Sequence, residues 1–313
     1  MIKGNNSTRI RVSIGLLLLA LLLTVVDLNK LLQSLSSIQM HWVIAAAFSI
    51  IFATLLGAFN AYILLDRQNS IRWTIFLPIY WLAWAASLIT PGQIGDIATI
   101  STLLKKQKID WHLSLGRSLL DKLISFIVMA ALASIGLYLT SKNYLNIDIS
   151  EKSILLMSIS IGILIFLLRS KFNMYFSPKI DGARGLIGRT MKEAKLTLYQ
   201  YPTKVIVNII LTIAKISLIG LSYWCIFRGL GADEISLFMT ITLSSASSLV
   251  AYIPISFNGI GTVEASGLVL FSEIGLTTSN ILAGFLALRL LVMLLAFLPS
   301  ACLLLFWRYK VTY

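Results

Sequence analysis

Two apolar stretches of this chain are each broken part-way by proline, glycine and a carboxylate. The first break reads Thr90-Pro91-Gly92-Gln93-Ile94-Gly95-Asp96. The second reads Pro254-Ile255-Ser256-Phe257-Asn258-Gly259-Ile260-Gly261-Thr262-Val263-Glu264. Proline lacks an N–H and disfavours helix at the residue before it, and glycine admits backbone angles that other residues avoid. The surroundings belong to a bilayer: the chain is 58% hydrophobic and 12% charged, with a mean hydropathy of +0.87. A soluble domain is about half apolar and a quarter charged. Lipid cannot pair the backbone groups that such a break sets free, so each break must be buried in protein or line a wet cavity. Two broken segments at matching places in two halves are a sequence pointer to a transporter's binding site.

The formal net charge of +13 does not indicate nucleic acid. The basic residues lie in short stretches between apolar runs, which reads as membrane topology and headgroup contact. Cys225 and Cys302 both fall within apolar runs, which argues against a disulfide framework or a zinc site. His41 and His112 are isolated, and no metal-ligand spacing, Ser-His-Asp set or phosphate-cradling loop is present. Asn258-Gly259-Ile260-Gly261 follows no strand and is not a dinucleotide fingerprint. No cofactor is expected. The first apolar run, Val12 to Val26, has no small-residue cleavage site after it and is read as an uncleaved span.

Taken in order, the hydropathy predicts a span over 11–26, a surface segment over 27–41 and a span over 42–65. The apolar arm from Trp73 to Thr90 follows, then the break, then a return of eight residues, Ile97 to Leu104, before Lys105 and Lys106. A span needs about 20 residues, so 73–104 is read as a re-entrant hairpin. A span over 118–140 closes the first half. The second half repeats the order: a span over 154–168, a basic stretch over 169–204, a span over 205–227, a broken segment over 235–276 and a last span over 279–307.

Charge placement tests this layout. With the N-terminus in the cytoplasm and both hairpins returning to the side they entered from, twenty of the twenty-six Lys and Arg fall inside. Only Lys30, Lys142, Lys152 and Arg228 fall outside. If the first arm crossed fully, the basic stretch over 169–204 would face outward, against the positive-inside bias. The predicted fold is therefore all-α and polytopic. Six spanning helices and two re-entrant helical hairpins (about 73–104 and 235–276) form two inverted-topology repeats, 1–150 and 151–313. Both termini lie in the cytoplasm.

Thr90 to Asp96, then Arg117-Ser118-Leu119-Leu120-Asp121-Lys122, then Asn258 to Glu264 resemble, in this order, the lysylphosphatidylglycerol synthase transmembrane or flippase-like family. That family includes the membrane half of the bacterial multiple peptide resistance factor. The resemblance covers about residues 10 to 310 and is carried by motif order and spacing. It implies movement of a lipid with a charged or sugar headgroup across a bacterial or archaeal cytoplasmic membrane. Members that aminoacylate phosphatidylglycerol carry an extra soluble catalytic domain. With the sequence running to Tyr313, that activity is not expected here.

Candidate substrate-binding residues follow from cost. Asp96 and Glu264 are carboxylates at membrane depth, a functional hypothesis by default; the plainer reading is a first-turn acid that caps a return arm. Lys215 and Arg289 sit about ten residues into their spans, too deep to snorkel easily. Such a cation pairs with a carboxylate or an anionic substrate; Asp96 and Glu264 are the natural partners, as a structural lock on the tips or within the site, and Arg289 can grip a phosphate through two donors. Arg117 and Asp121 share a helix face at i, i+4 and, with Lys122, form either a headgroup gate or an interfacial charge cluster. Gln93 and Asn258 could meet a sugar hydroxyl or satisfy freed backbone groups. Trp73, Tyr80, Trp81 and Trp84 read as an aromatic belt before they read as a sugar platform.

Three functions compete. A lipid translocator for a phospholipid or polyprenyl-linked glycolipid uses both inverted halves. A membrane-embedded enzyme on polyprenyl lipids would use the tip carboxylates as acid and base, yet no nucleophile–base pair is visible. An accessory holding a glycosyltransferase partner would dock it on the basic stretch over 169–204, leaving the buried charges as unexplained cost. Homo-oligomerisation is compatible with each.

Overall fold

A computed structural model describes residues 13, 28–65, 71–90, 94–143, 183–253 and 256–311. Ten α-helices run through the described residues: α1 (Leu28–Ser36), α2 (Met40–Leu65), α3 (Trp73–Leu88), α4 (Gly95–Lys106), α5 (Trp111–Asn143), α6 (Ala183–Gln200), α7 (Pro202–Gly229), α8 (Leu237–Leu249), α9 (Thr262–Ser272) and α10 (Thr278–Val311). No strand occurs among the described residues.

Four helices, α2, α5, α7 and α10, are long and apolar enough to cross a bilayer by length and composition. They fall where the hydropathy predicts spans. The other two predicted spans, over 11–26 and 154–168, lie outside the described residues apart from Ser13. So does the basic stretch up to residue 182; its remainder forms α6, which lies along the first part of α5, where Gly116 meets the Thr190 carbonyl.

Each predicted break separates two short helices. The arms α3 and α4 have 16 and 12 residues, and α8 and α9 have 13 and 11, all below the roughly 20 that a span requires. The arms fold back on one another. A Cβ on Gly95 would lie 2.4 Å from the Ala86 carbonyl oxygen, so the tip closes only over glycine. Further along, Ile100 and Leu104 pack on Phe76 and Ile79. In the second pair Gly259 abuts Ala251, and Ser266 donates to the Ser247 carbonyl. Pro78, inside α3, does not end that helix.

The two halves of the sequence interlock. α2 packs antiparallel on α7: Gln39 N–H meets the Gly229 carbonyl, Ser49 the Leu218 carbonyl, and Asn60 the Thr212 hydroxyl. α3 packs on α10 and α8 on α5, while α4 lies on α5 and α9 on α10. Thus each early arm touches the last long helix of the opposite half. The core is aromatic on one side, where Tyr223, Phe227, Phe271 and Phe285 meet. The amphipathic α1 buries Leu31 against Leu282 and Ala283 and leaves Leu32 exposed.

Candidate functional site

At the first tip, Thr90 turns back to close the chain. Its Oγ1 donates to the carbonyls of Ala86 and Ser87 and accepts the Gly95 N–H at 2.8 Å. Asp96 stands in the first turn of α4, where the helix dipole favours a negative charge. One carboxylate oxygen accepts the Ile97 N–H at 2.7 Å, and the other takes Lys122 Nζ from α5 at 2.6 Å. Gln93, with Pro91 and Gly92, lies outside the described residues.

The second tip is built on left-handed backbone. Asn258, Gly259 and Gly261 have φ of 49°, 70° and 79°. Asparagine and glycine are the residues that adopt this region at least cost. Glu264, in the first turn of α9, reaches back to accept the Gly261 N–H at 2.7 Å. Its other oxygen takes Arg289 Nε at 2.6 Å. Arg289 also donates to the carbonyls of Asn258 and Gly259 at 3.4 and 3.5 Å. One guanidinium on α10 therefore clamps the carboxylate and the two carbonyls of the turn that carries it.

Beside the first tip lies a cavity of about 310 Å³, at the lower end of the size range of small-molecule sites. Asp96, Arg117, Asp121, Lys122 and Lys215 all line it, as do the aromatic side chains Tyr80, Trp84, Tyr223 and Tyr252. A smaller cavity of about 140 Å³ adjoins it, lined by Asn258, Glu264 and Arg289. Leu88, Tyr223, Ser248, Leu288 and Val292 form the wall common to both. Tyr252 joins the tips: it precedes the second break, yet Lys122 Nζ sits 5.6 Å from its ring centroid, and Phe126 packs edge-on against it.

The sequence offers Asp96 and Glu264 jointly to Lys215 and Arg289; in the structure Arg289 takes Glu264, and Lys215 forms no salt bridge with either among the described residues. α5 flanks α4, so Lys122 reaches Asp96 first. Lys215 comes from α7 across the cavity, and among the described residues its Nζ hydrogen-bonds the Ser125 hydroxyl, at 3.4 Å. It forms no salt bridge among the described residues. Gly57 makes room for it: a Cβ there would lie 2.5 Å from Tyr80 Oη and 3.1 Å from Lys215 Cδ. Arg117 is buried and donates to the carbonyls of Leu64 and Leu65 at 2.7 and 3.0 Å. It thereby satisfies the carbonyl end of α2, where a cation is favoured.

Asp121 is held by two amides that the sequence reading passed over. Asn208 Nδ2 donates to its Oδ1 at 2.7 Å and Asn60 Nδ2 at 3.3 Å. Both asparagines are fully buried. The signal was available: an amide inside an apolar span needs a partner. Of the four aromatics in the first arm, Tyr80 and Trp84 face the cavity. Trp73 packs with Phe59 and Tyr62, and Trp81 donates to the Leu295 carbonyl. No group of three or more His, Cys, Asp or Glu that could hold a metal occurs among the described residues.

The model of a family described as the lysylphosphatidylglycerol synthase TM region matches residues 9–309. The chain belongs to this family. A search of curated proteins found no match. As a lysylphosphatidylglycerol synthase TM region with four helices of spanning length, it is a multi-pass membrane protein with a lipid-related role.

Proposed function

We propose that this protein is a lipid translocator that passes an anionic or sugar-bearing headgroup through the cavity beside the first tip while the tails stay in the bilayer. The observation that carries this reading is Lys215. It lies deep in a helix of spanning length, lines the larger cavity, and touches a hydroxyl but forms no salt bridge among the described residues. A cation at membrane depth is costly unless it meets an anion or water. With Lys122 and Arg117 lining the same cavity, it offers a phosphate more positive charge than Asp96 and Asp121 cancel. The tyrosines and Trp84 supply apolar faces with polar edges, suited to a sugar.

Re-entrant arms and inverted halves complete the mechanism. Four arms too short to span, paired across tips that meet one shared wall, support two hairpins entering from opposite leaflets. The antiparallel pairing of α2 with α7, each the second span of its half, supports the division near residue 150. So does the exchange of α3–α10 for α8–α5 contacts. On the charge bias, the termini and α6 lie in the cytoplasm. Alternating access would then be rocking of one half against the other around the cavity.

A carrier fits better than an enzyme. Each tip carboxylate spends one oxygen on a cation and the other on the N–H of its own turn, which leaves neither poised as a general base.

The test is headgroup flipping of labelled anionic lipid in proteoliposomes. Lys215→Met is expected to slow flipping by about tenfold or more, the worth of one charge-assisted hydrogen bond, with unfolding unchanged. Flipping at the native rate in that variant would remove the assigned role. Release of phosphate or sugar from a lipid donor in detergent, where transport is impossible, would point to the enzyme instead.

A further inference from the structure

One face of α5 lines the larger cavity with hydrogen-bond donors that have little to donate to. Ser118, Lys122 and Ser125 stand on that face at i, i+4 and i+7, so each lies about one turn from the next. Buried hydroxyls elsewhere in this chain spend their proton on their own helix. Ser134 donates to the Ala130 carbonyl, Thr140 to that of Gly136 and Ser300 to that of Ala296. Ser118 does not. It is 9% exposed, and its Oγ is buried with no hydrogen-bond partner among the described residues. Ser101 and Thr190 share that condition, but neither lines the larger or the smaller cavity. The Ser125 hydroxyl accepts a long bond from Lys215 Nζ, at 3.4 Å, and makes no other among the described residues. An ammonium has three donors, and that bond occupies one of those on Lys215.

The nearby carboxylates do not absorb these donors. Asp96 has one oxygen on the Ile97 N–H and the other on Lys122, and Asp121 Oδ1 is held by the amides of Asn60 and Asn208. The wall is complemented by a guest that only accepts. A phosphate monoester is such a guest, with three terminal oxygens and about −1.5 to −2 charges at neutral pH. A phosphodiester has one terminal oxygen fewer and a single charge.

We infer that Ser118, Lys122, Ser125 and Lys215 form a seat for a terminal phosphate, the monoester end of its molecule. Three donor positions, namely Ser118, Lys122 and the Ser125–Lys215 pair, match its three oxygens. The two ammoniums match its charge. Lys122 is the middle position, so the phosphate competes there with Asp96, whose side chain is 28% exposed. That the guest is a lipid rests on the proposed function. Free inorganic phosphate presents the same chemistry, and the experiment separates the two.

Binding is measured on the purified chain in detergent micelles at one ionic strength. Trp84 lines the cavity and reports occupancy through its fluorescence. The probes are dihexanoyl phosphatidic acid, the diester dihexanoyl phosphatidylglycerol and inorganic phosphate. Phosphatidic acid should bind about tenfold or more tighter than the diester, and Ser118→Ala should weaken it about tenfold, as loss of a hydrogen bond to a charged group does. The same variant should keep or raise Tm, because the hydroxyl it removes has no partner among the described residues. Ser134→Ala, which deletes a hydroxyl bonded to its own helix, should leave binding unchanged. Inorganic phosphate that binds as tightly as phosphatidic acid keeps the seat and gives it to the soluble ion; weaker binding gives it to the lipid. Equal affinity for monoester and diester overturns the inference. So does undiminished phosphatidic acid binding in Ser118→Ala, or a native chain that binds neither phosphate probe. Failure of the translocator reading is distinct: phosphatidic acid then binds selectively, and Ser118→Ala weakens it, while no lipid crosses in proteoliposomes.

Discussion

The two tips use the same chemical parts to different ends. At the second, Glu264 is 1% exposed and each of its oxygens is committed. Arg289 closes on the carboxylate and on two carbonyls of the same turn, over three residues held at positive φ. At the first, the side chains of Asp96 and Lys122 are 28% and 18% exposed, and the pair faces the larger cavity. One carboxylate is fixed by its whole surroundings and the other by a partner that a headgroup could displace. A buried pair is expensive to break from one side, whereas a partly solvated one is nearly free to open. On the proposed function, the second tip would be the fixed abutment and the first the working end.

The sharpest way to break this contrast is Glu264→Gln. Leaving Arg289 without its carboxylate should cost about 3–5 kcal/mol of stability, read by denaturant unfolding in micelles. A loss near zero would place slack at the second tip too. Next in size is Gly259→Ala. The new Cβ would lie 2.6 Å from Val263 Cγ2 and 3.1 Å from Ala251 Cα at a φ of 70°, so crowding adds to backbone strain and about 2–4 kcal/mol is expected. Gly231→Ala is its control: φ is 83° but nothing lies within 4 Å, so only the backbone cost of about 1–2 kcal/mol remains. Equal losses at the two glycines would show that the second tip is not crowded.

Lys122→Met should cost at most about 1 kcal/mol while slowing headgroup flipping by about tenfold or more. A stability loss matching that of Glu264→Gln would erase the difference between the tips. The smallest effect belongs to Tyr252→Leu, which removes the ring beside Lys122 and should cost about 0.5–1 kcal/mol. A double-mutant cycle with Lys122→Met measures whether the ring and the ammonium are coupled at all.

Much of this was legible in the residues. Glycines gathered with a proline over 90–96 and 254–264 marked the two breaks, because together they weaken a helix. The long apolar runs over 42–65, 118–140, 205–227 and 279–307 marked helices that fold where expected. Asp96 and Glu264 stood out as joint partners for Lys215 and Arg289 because few charges lie deep in the apolar segments. For Lys215, depth alone leaves a carboxylate and an anionic guest both open, and the sequence does not show that Lys122 takes Asp96. Asn60, Asn208 and Thr212 were passed over because each is unremarkable within its own helix and gains meaning only when α2, α5 and α7 converge on Asp121.

By itself, the sequence determined which segments are helical, where they break and that their home is a bilayer. Those properties follow from hydropathy and backbone freedom, which belong to each stretch of chain separately. Only the tertiary structure decided which carboxylate meets which cation and which ammonium is left facing the cavity. Those outcomes depend on distances of a few ångströms between side chains from helices far apart in the chain, and no local property of a segment encodes them.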